Sequence, residues 1–301
     1  MKFFKIFIVL LVVFTGLYIY NKNHTLRTDT STHKPAVALS TFALYDVAKE
    51  ISGDTLECFL IVPLGVDVHD YEPTPKIMAR LHDAKLIVYS GAGLEPWMHP
   101  FTNAANVLDM SKHVKLLHLK NKHANNVIDP HYWLDVDNMI IAAKVLRDRF
   151  IKMYPKHTKL YERNTARYIA GLKRIDAAYK AQLDSCKKDT IIVGHNAFSY
   201  LAKKYNFHVD SISGLAPDAQ PSAKVIKQII LDVKKYNIST IFFIPFTNRA
   251  VVDSIASETG TKAGILQPIV NITDAELKKN ATYNSLMMEN LKQISKALEC
   301  H

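Results

Sequence analysis

Apolar residues along this chain follow two alternating rhythms. Short unbroken apolar runs read as strands buried on both faces: AVALST (36–41), LECFLIV (56–62), KLIVYSG (85–91) and the weaker NVLDM (106–110). Between them, FALYDVAKEISG and TPKIMARLHDA repeat apolar residues at helical spacing, through Phe42, Leu44, Val47 and Ile51, then Ile77 and Leu81. Apolar strands alternating with helices predict parallel βαβ units with both sheet faces covered.

From Pro155 the rhythm lengthens. Tyr161, Thr165, Tyr168, Leu172, Ile175 and Tyr179 are spaced 4-3-4-3-4, one helix face over about five turns. Few breakers intervene before Lys187, so the spacing predicts one helix of about thirty residues, long for a crossover and suited to a strut. The alternation then resumes. TIIVG (190–194), HVDSI (208–212), TIFFI (240–244) and KAGIL (262–266) are predicted strands. SAKVIKQIILDVKKY and NRAVVDSIASETG are predicted helices, the second closed by Gly260, and LMMENLKQISKALE makes a last one. The expected fold class is α/β: two lobes, each a small mostly parallel sheet covered by helices, joined by one long rigid linker helix. The expected boundaries are an N-terminal lobe at 36–154, the linker at 155–187 and a C-terminal lobe at 188–301.

Ahead of these lies MKFFKIFIVLLVVFTGLYIY, where Lys2 and Lys5 precede an apolar run from Ile6 to Tyr20. That is the layout of a secretory signal, without a convincing small-residue cleavage site. Residues 1–20 are therefore expected to be a signal peptide or an N-terminal membrane anchor, and the polar stretch 21–35 a flexible tether. The body is expected in the periplasm or on the outer face of the membrane.

Charge changes the picture little. The formal net charge is +10, but residues 1–34 hold five Lys/Arg against Asp29 alone, leaving 33 basic and 27 acidic residues in the body. These are scattered, with no basic run interleaved with aromatics, so nucleic-acid binding is not expected. Three cysteines allow at most one internal disulfide: Cys58 lies in a strand pattern, whereas Cys186 and Cys300 lie near element ends and could pair in an oxidising compartment.

Candidate chemistry rests on histidine. Of thirteen, His24, His33, His157 and His301 lie in polar or terminal segments. His69, in GVDVHDYEPTP, follows the second strand and is stiffened by Pro73 and Pro75. His195 directly follows TIIVG, and His131, in DPHYWLDVD, precedes an apolar helix. In parallel α/β sheets ligands gather at the carboxyl ends of strands, which places His69 and His195 at a common cleft. Neutral imidazoles suit zinc better than Mg²⁺ or Ca²⁺. Spacings of 62 and 64 residues are no local motif, so the residues alone leave solvated histidines as the competing reading. Asp67, Asp70 and Glu72 are candidates to accept the other ring N–H of His69.

The blocks GVDVHDYEPTP, AKLIVYSGAGLEPW, DPHYWLDVDN, VGHNAFSYLAKKY and ASETGTKAGILQP, in this order, resemble the metal-binding receptors of zinc and manganese ABC importers, the cluster A-I periplasmic solute-binding proteins. The likeness runs from about Ala36 to the C-terminus. It implies a metal captured as cargo between two lobes and delivered to a membrane permease driven by a separate ATPase; a monomer is expected only by default. It also implies that His69, His131 and His195 are ligands. Histidine at the third place resembles zinc-type members, with Mn(II) the alternative cargo. The family's fourth ligand is an Asp in a block like LDPL; this chain reads LQPI, so Gln267 stands there, with water or Asp274 as other candidates. His113, His118 and His123 lie where zinc-type members often carry a histidine-rich loop, and a solvated basic loop competes with that role.

A secreted zinc hydrolase is the rival from another class. No H-E-x-x-H, G-x-S-x-G or P-loop supports it, so a non-enzymatic receptor is expected. A surface adhesin is a further alternative, supported only by the anchor-like N-terminus. Since imidazoles bind metal in their neutral form, affinity is expected to fall below pH ~6.5.

Overall fold

The apolar runs become strands where the pattern puts them, in a computed structural model that describes residues 34–121, 124–215, 221–245 and 249–301. The N-terminal segment read as a signal or anchor lies outside those residues. Among the described residues no helix is long and apolar enough to cross a membrane.

The first lobe opens with β1 (Ala36–Leu39), α1 (Phe42–Ser52), β2 (Glu57–Leu60), α2 (Pro75–Asp83), β3 (Leu86–Tyr89) and β4 (Val107–Asp109). The strands form a fully parallel sheet in the order β2-β1-β3-β4. Helix α2 starts sharply because the Thr74 side chain accepts from the Ile77 N–H and Pro75 supplies a preset first turn. A hairpin then departs from the predicted loop: β5 (Leu117–Asn121) pairs antiparallel with β6 (Ala124–Asp129), with a bulge at Leu119/Lys120. Its strands carry only a weak apolar alternation, which is why the pattern hides them. Helix α3 (Val136–Met153) follows, capped by Asp135, whose side chain accepts from the Asp137 N–H.

The long helix α4 (Thr158–Gln182) is shorter than the pattern predicts. A 3-10 turn at Pro155–His157 precedes it, and the chain beyond Gln182 turns off to the Cys186–Cys300 disulfide. It is also no bare strut. Its face of Tyr161, Thr165, Tyr168, Leu172, Ile175 and Tyr179 is buried, and it packs against α1 and α3.

The second lobe runs β7 (Thr190–Val193), α5 (Ser199–Tyr205), β8 (His208–Ser211), α6 (Ala223–Lys235), β9 (Thr240–Phe243), α7 (Ala250–Thr259), β10 (Lys262–Ile265), α8 (Asp274–Lys278) and α9 (Tyr283–Leu298). Its sheet is again parallel, ordered β10-β9-β7-β8. Gly260 closes α7 in the left-handed region at φ 72°, as predicted from its position. The period of two divides the sheet's contacts. Ile191, Val193 and Phe242 join the main core, which runs through α1, α3, α4 and α9, while Ile192, Ile241 and Phe243 form a second core with α6 and α7. The last helix also packs on α1 and α4, so residues Pro35–His301 hold together as one unit.

Candidate metal centre

His131 and His195 each sit two residues beyond a strand and His69 lies further out on a connection, and three different local devices fix them. His69 lies on the irregular stretch between β2 and α2. Asp67 Oδ1 accepts from the His69 backbone N–H at 2.9 Å, a turn closed by an aspartate two residues back. The carboxylate therefore serves the backbone, and Asp70 and Glu72 are exposed. The stretch is fastened from a distant part of the chain: Asn271 Nδ2 donates to the carbonyls of Pro63 at 2.6 Å and Val66 at 2.8 Å, and Gly65 N–H donates to Ile272 O.

His131 follows β6 and is 1% exposed. Asp129, fully buried, accepts from its backbone N–H at 3.0 Å and lies 2.8 Å from its Nδ1 with the same oxygen. A carboxylate only accepts, so Nδ1 carries the proton and Nε2 presents its lone pair. Trp133 walls this ring at a centroid distance of 5.4 Å and donates to Pro268 O at 2.7 Å.

His195 comes two residues after β7, past Gly194, whose N–H donates to Phe242 O at 2.7 Å. It is 3% exposed, and its Nε2 lies 3.1 Å from Nε2 of His131. The ring centroids of His69 stand 5.7 and 5.6 Å from those of His131 and His195. One ligand nitrogen from each of the three lies within 4.8 Å of the others, the one such grouping of His, Cys, Asp or Glu among the described residues. Two nitrogens held tetrahedrally at ~2.1 Å from zinc would be about 3.4 Å apart. The His131–His195 pair already approaches that separation.

Electrostatics favour neutral rings. Burial, then the neighbouring His131, lowers the His69 imidazole to about 4, with Asp70 pulling weakly upward. Burial, then His131 and His69, pushes His195 well below its ordinary value. Three nitrogen donors crowded together, two of them buried and the third partly so, repel protons and suit a borderline cation.

Gln267 is committed differently from its expected place as fourth donor. Its amide Nε2 donates to Glu276 at 2.8 Å, and its Oε1 accepts from the Ile269 N–H at 3.2 Å. Its backbone is clasped by Asn290, which accepts from Gln267 N and donates to Gln267 O. Ile269 has φ 58°, a strained conformation for a β-branched residue, so the Gln267 amide braces a turn whose carbonyl also accepts from the first turn of α1. Asp274 is exposed at the start of α8. His113 and His118 are exposed on the approach to and within β5, and His123 lies outside the described residues. Sequence reasoning missed Asp129, although a carboxylate two residues before a histidine, in DPH, was its visible sign.

Comparison with known proteins gives a consistent set. A family model described as ZnuA, zinc-uptake complex component A, periplasmic, matches residues 37–297. The chain is 30% identical over 289 residues to the zinc-binding protein AdcA of Streptococcus pyogenes serotype M1, covering 87% of this chain and 55% of that protein. It thus spans about half the length of the AdcA relatives that it matches. It is also 30% identical to the high-affinity zinc uptake system protein ZnuA of Bacillus subtilis, covering 90% of this chain and 89% of that one. Among solved structures, the laminin-binding protein Lmb of Streptococcus agalactiae superposes with a TM-score of 0.80 at 28% identity, over 88% of this chain and 99% of that one. Zn(II)-bound AdcA of Streptococcus pneumoniae gives 0.77 at 30% identity, over 88% and 58%.

Proposed function

We propose, because this chain belongs to the ZnuA family of periplasmic zinc-uptake components, that it captures one zinc ion as cargo and hands it to an importer. The observation that carries this reading is the meeting of His69, His131 and His195, three residues far apart in sequence whose nitrogens converge to within 4.8 Å. Each follows a strand, and two are almost fully buried. Such a cluster is costly to bury unless something occupies its lone pairs. Zinc accepts three imidazoles plus one further donor, whereas manganese prefers oxygen ligands. We assign the fourth place to water, because the Gln267 amide already holds Ile269 and Glu276. Mn(II) is then a weak competitor.

The two parallel sheets support a division into an N-terminal lobe (36–154), a linker (155–187) and a C-terminal lobe (188–301). The receptor works as a monomer outside the cytoplasmic membrane, held there if residues 1–20 remain attached, and its partner is an ABC permease in that membrane.

Titration calorimetry of the metal-stripped protein with Zn²⁺ and, separately, Mn²⁺ tests the reading. One tight zinc site with much weaker manganese binding is expected. His131→Ala removes a coordinate bond and should weaken zinc by at least about a hundredfold, more than the loss of a supporting partner does. Undiminished zinc binding in that variant would sink the assignment.

A further inference from the structure

Two of the three histidines are linked by more than their own contact. Helix α5 begins four residues after His195 and carries Tyr200, Lys204 and Tyr205, which reach the hairpin, the start of α3 and α4. Tyr200 is 3% exposed. Its hydroxyl donates to the Asp129 carbonyl and accepts from the Leu117 N–H, both at 2.8 Å. Leu117 and Asp129 face each other at the open end of the β5–β6 hairpin, so one hydroxyl closes that end. Asp129 is the residue whose carboxylate orients His131.

A second fastening lies one turn along. The Lys204 ammonium, 15% exposed, reaches Asp135 at 3.1 Å and Asp137 at 2.5 Å, both at the start of α3, and Asp176 of α4 at 3.9 Å. Burial alone would lower its pKa, but the Asp137 and Asp135 carboxylates raise it, so it stays charged. Tyr205 adds a hydrogen bond to Asp176 at 3.1 Å and stacks on Tyr179.

These contacts close a ring. It runs from His195 along five residues to Tyr200, across to Asp129, through its carboxylate to His131, and back over 3.1 Å to His195. His69 stands outside it, on a stretch fastened by Asn271 and Ile272. We propose that Tyr200, backed by Lys204, is a positioning residue for metal capture, tying the His131 turn to the helix after His195 so that these two ligands form a preassembled pair which His69 completes. The proposal rests on the zinc-receptor reading. A fixed pair leaves little ordering entropy to be lost when the ion arrives, so the strap acts on affinity through pre-organisation.

Tyr200→Phe keeps the ring and removes the hydroxyl. Tyr179→Phe is its control, deleting a hydroxyl equally buried, bonded to Met287 O, and outside the ring. Both are compared with the wild-type full chain at a temperature where each is folded. In the metal-free proteins, the imidazole ¹⁵N shifts of His131 and His195 should move in Tyr200→Phe and stay in place in Tyr179→Phe. Zinc affinity should fall about 10- to 100-fold in Tyr200→Phe, the range for loss of a partner that orients a ligand, and stay at the wild-type level in the control. A purely structural role would lower the melting temperature of both variants alike and leave shifts and affinity untouched, which overturns the proposal. If wild-type protein fails to bind zinc, the receptor reading falls, and the metal-free shifts still decide whether the strap exists. Should Tyr200→Phe not fold, Lys204→Met tests the strap from its rim. A several-fold loss of affinity, restored by Lys204→Arg, supports it, and wild-type affinity in Lys204→Met overturns it.

Discussion

Asp129 decides which nitrogen His131 offers. With its carboxylate 2.8 Å from Nδ1, the ring proton is pinned on the buried side and Nε2 faces the other histidines. Asp129→Asn replaces an acceptor-only group with an amide that can turn either its oxygen or its N–H toward Nδ1, so the wrong tautomer becomes accessible. Zinc affinity measured by competition with a chelator should fall about 10- to 100-fold, with the fold retained by circular dichroism. His69 and His195 were legible by position, because each follows an apolar run and strand ends are where α/β proteins mount ligands, whereas His131, ahead of an apolar helix, was picked out through the family resemblance. What was not legible was how far their environment changes them. A sequence yields the ordinary imidazole value near 6.5 and hence an affinity that falls below it. In the folded protein His69 sits at about 4 and His195 well below its usual value, so neither must shed a proton to bind above pH 5.5. Calorimetry in buffers of different ionisation enthalpy should therefore find no more than about one proton released per zinc between pH 5.5 and 7.5, where three free imidazoles would release up to about three at the acid end. A release near three would show that the cluster is not assembled before the metal.

Elements built on strong apolar patterns were read nearly to the residue, and those built on hydrogen bonds were not. β1, β3, β7 and β9 fall inside their predicted runs because a strand buried on both faces has almost no polar positions, and the edge strands β2 and β10, though more exposed, fall inside theirs too. The β5–β6 hairpin and α5 escaped, since LHLKN and ANNVID lack a firm alternation and a seven-residue helix leaves too few turns for a period. The stretch from Gln267 to Thr273 is the clearest case. It looks like a loop carrying a fourth ligand, yet its hydrogen bonds bind elements distant in sequence: Val270 and Ile269 carbonyls accept from Phe42 and Ala43 at the start of α1, and Asn271 holds the His69 segment by two carbonyls. Asn271 is 1% exposed. Asn271→Ala takes that donor from the Pro63 and Val66 carbonyls, which should cost about 0.5–1.5 kcal/mol per hydrogen bond in urea denaturation and loosen His69 more than His131 or His195. Amide exchange is the check: protection of Gly65 should drop in the variant while that of Ile192, in the centre of the second sheet, is unchanged. Equal loss at both sites would mean that Asn271 stabilises the whole body and has no special hold on the His69 segment.

At the scale of the whole molecule, the buried histidines are set against two buried acids. Burial, opposed by hydrogen bonds, raises Asp46 to about 7, and burial likewise raises Glu95 to about 7 although Ser40, Ser90 and Gly91 all donate to it. A carboxyl whose folded value lies above its unfolded one contributes stability that is complete below the unfolded value and lost as pH rises through the folded one. For these two that loss runs from about pH 4 to 7. A histidine lowered on folding does the reverse: its contribution is present above about 6.5 and lost as pH falls toward the folded value, about 4 for His69 and well below the ordinary value for His195. The windows overlap and the signs oppose. At ~1.4 kcal/mol per pH unit of displacement, His69 alone accounts for roughly 3 kcal/mol and each acid for roughly 3–4 kcal/mol. The metal-free protein should therefore lose less stability between pH 4.5 and 6.5 in urea titrations than the roughly 5 kcal/mol that the two acids alone would take away, because the histidines work against them. Glu95→Gln removes one of the descending contributions. Its stability should rise with pH across the same window by about 3 kcal/mol more than that of the wild type, whatever the constant offset from altered hydrogen bonding. Parallel curves for the two proteins would show that Glu95 is ionised throughout and contributes nothing to the pH dependence.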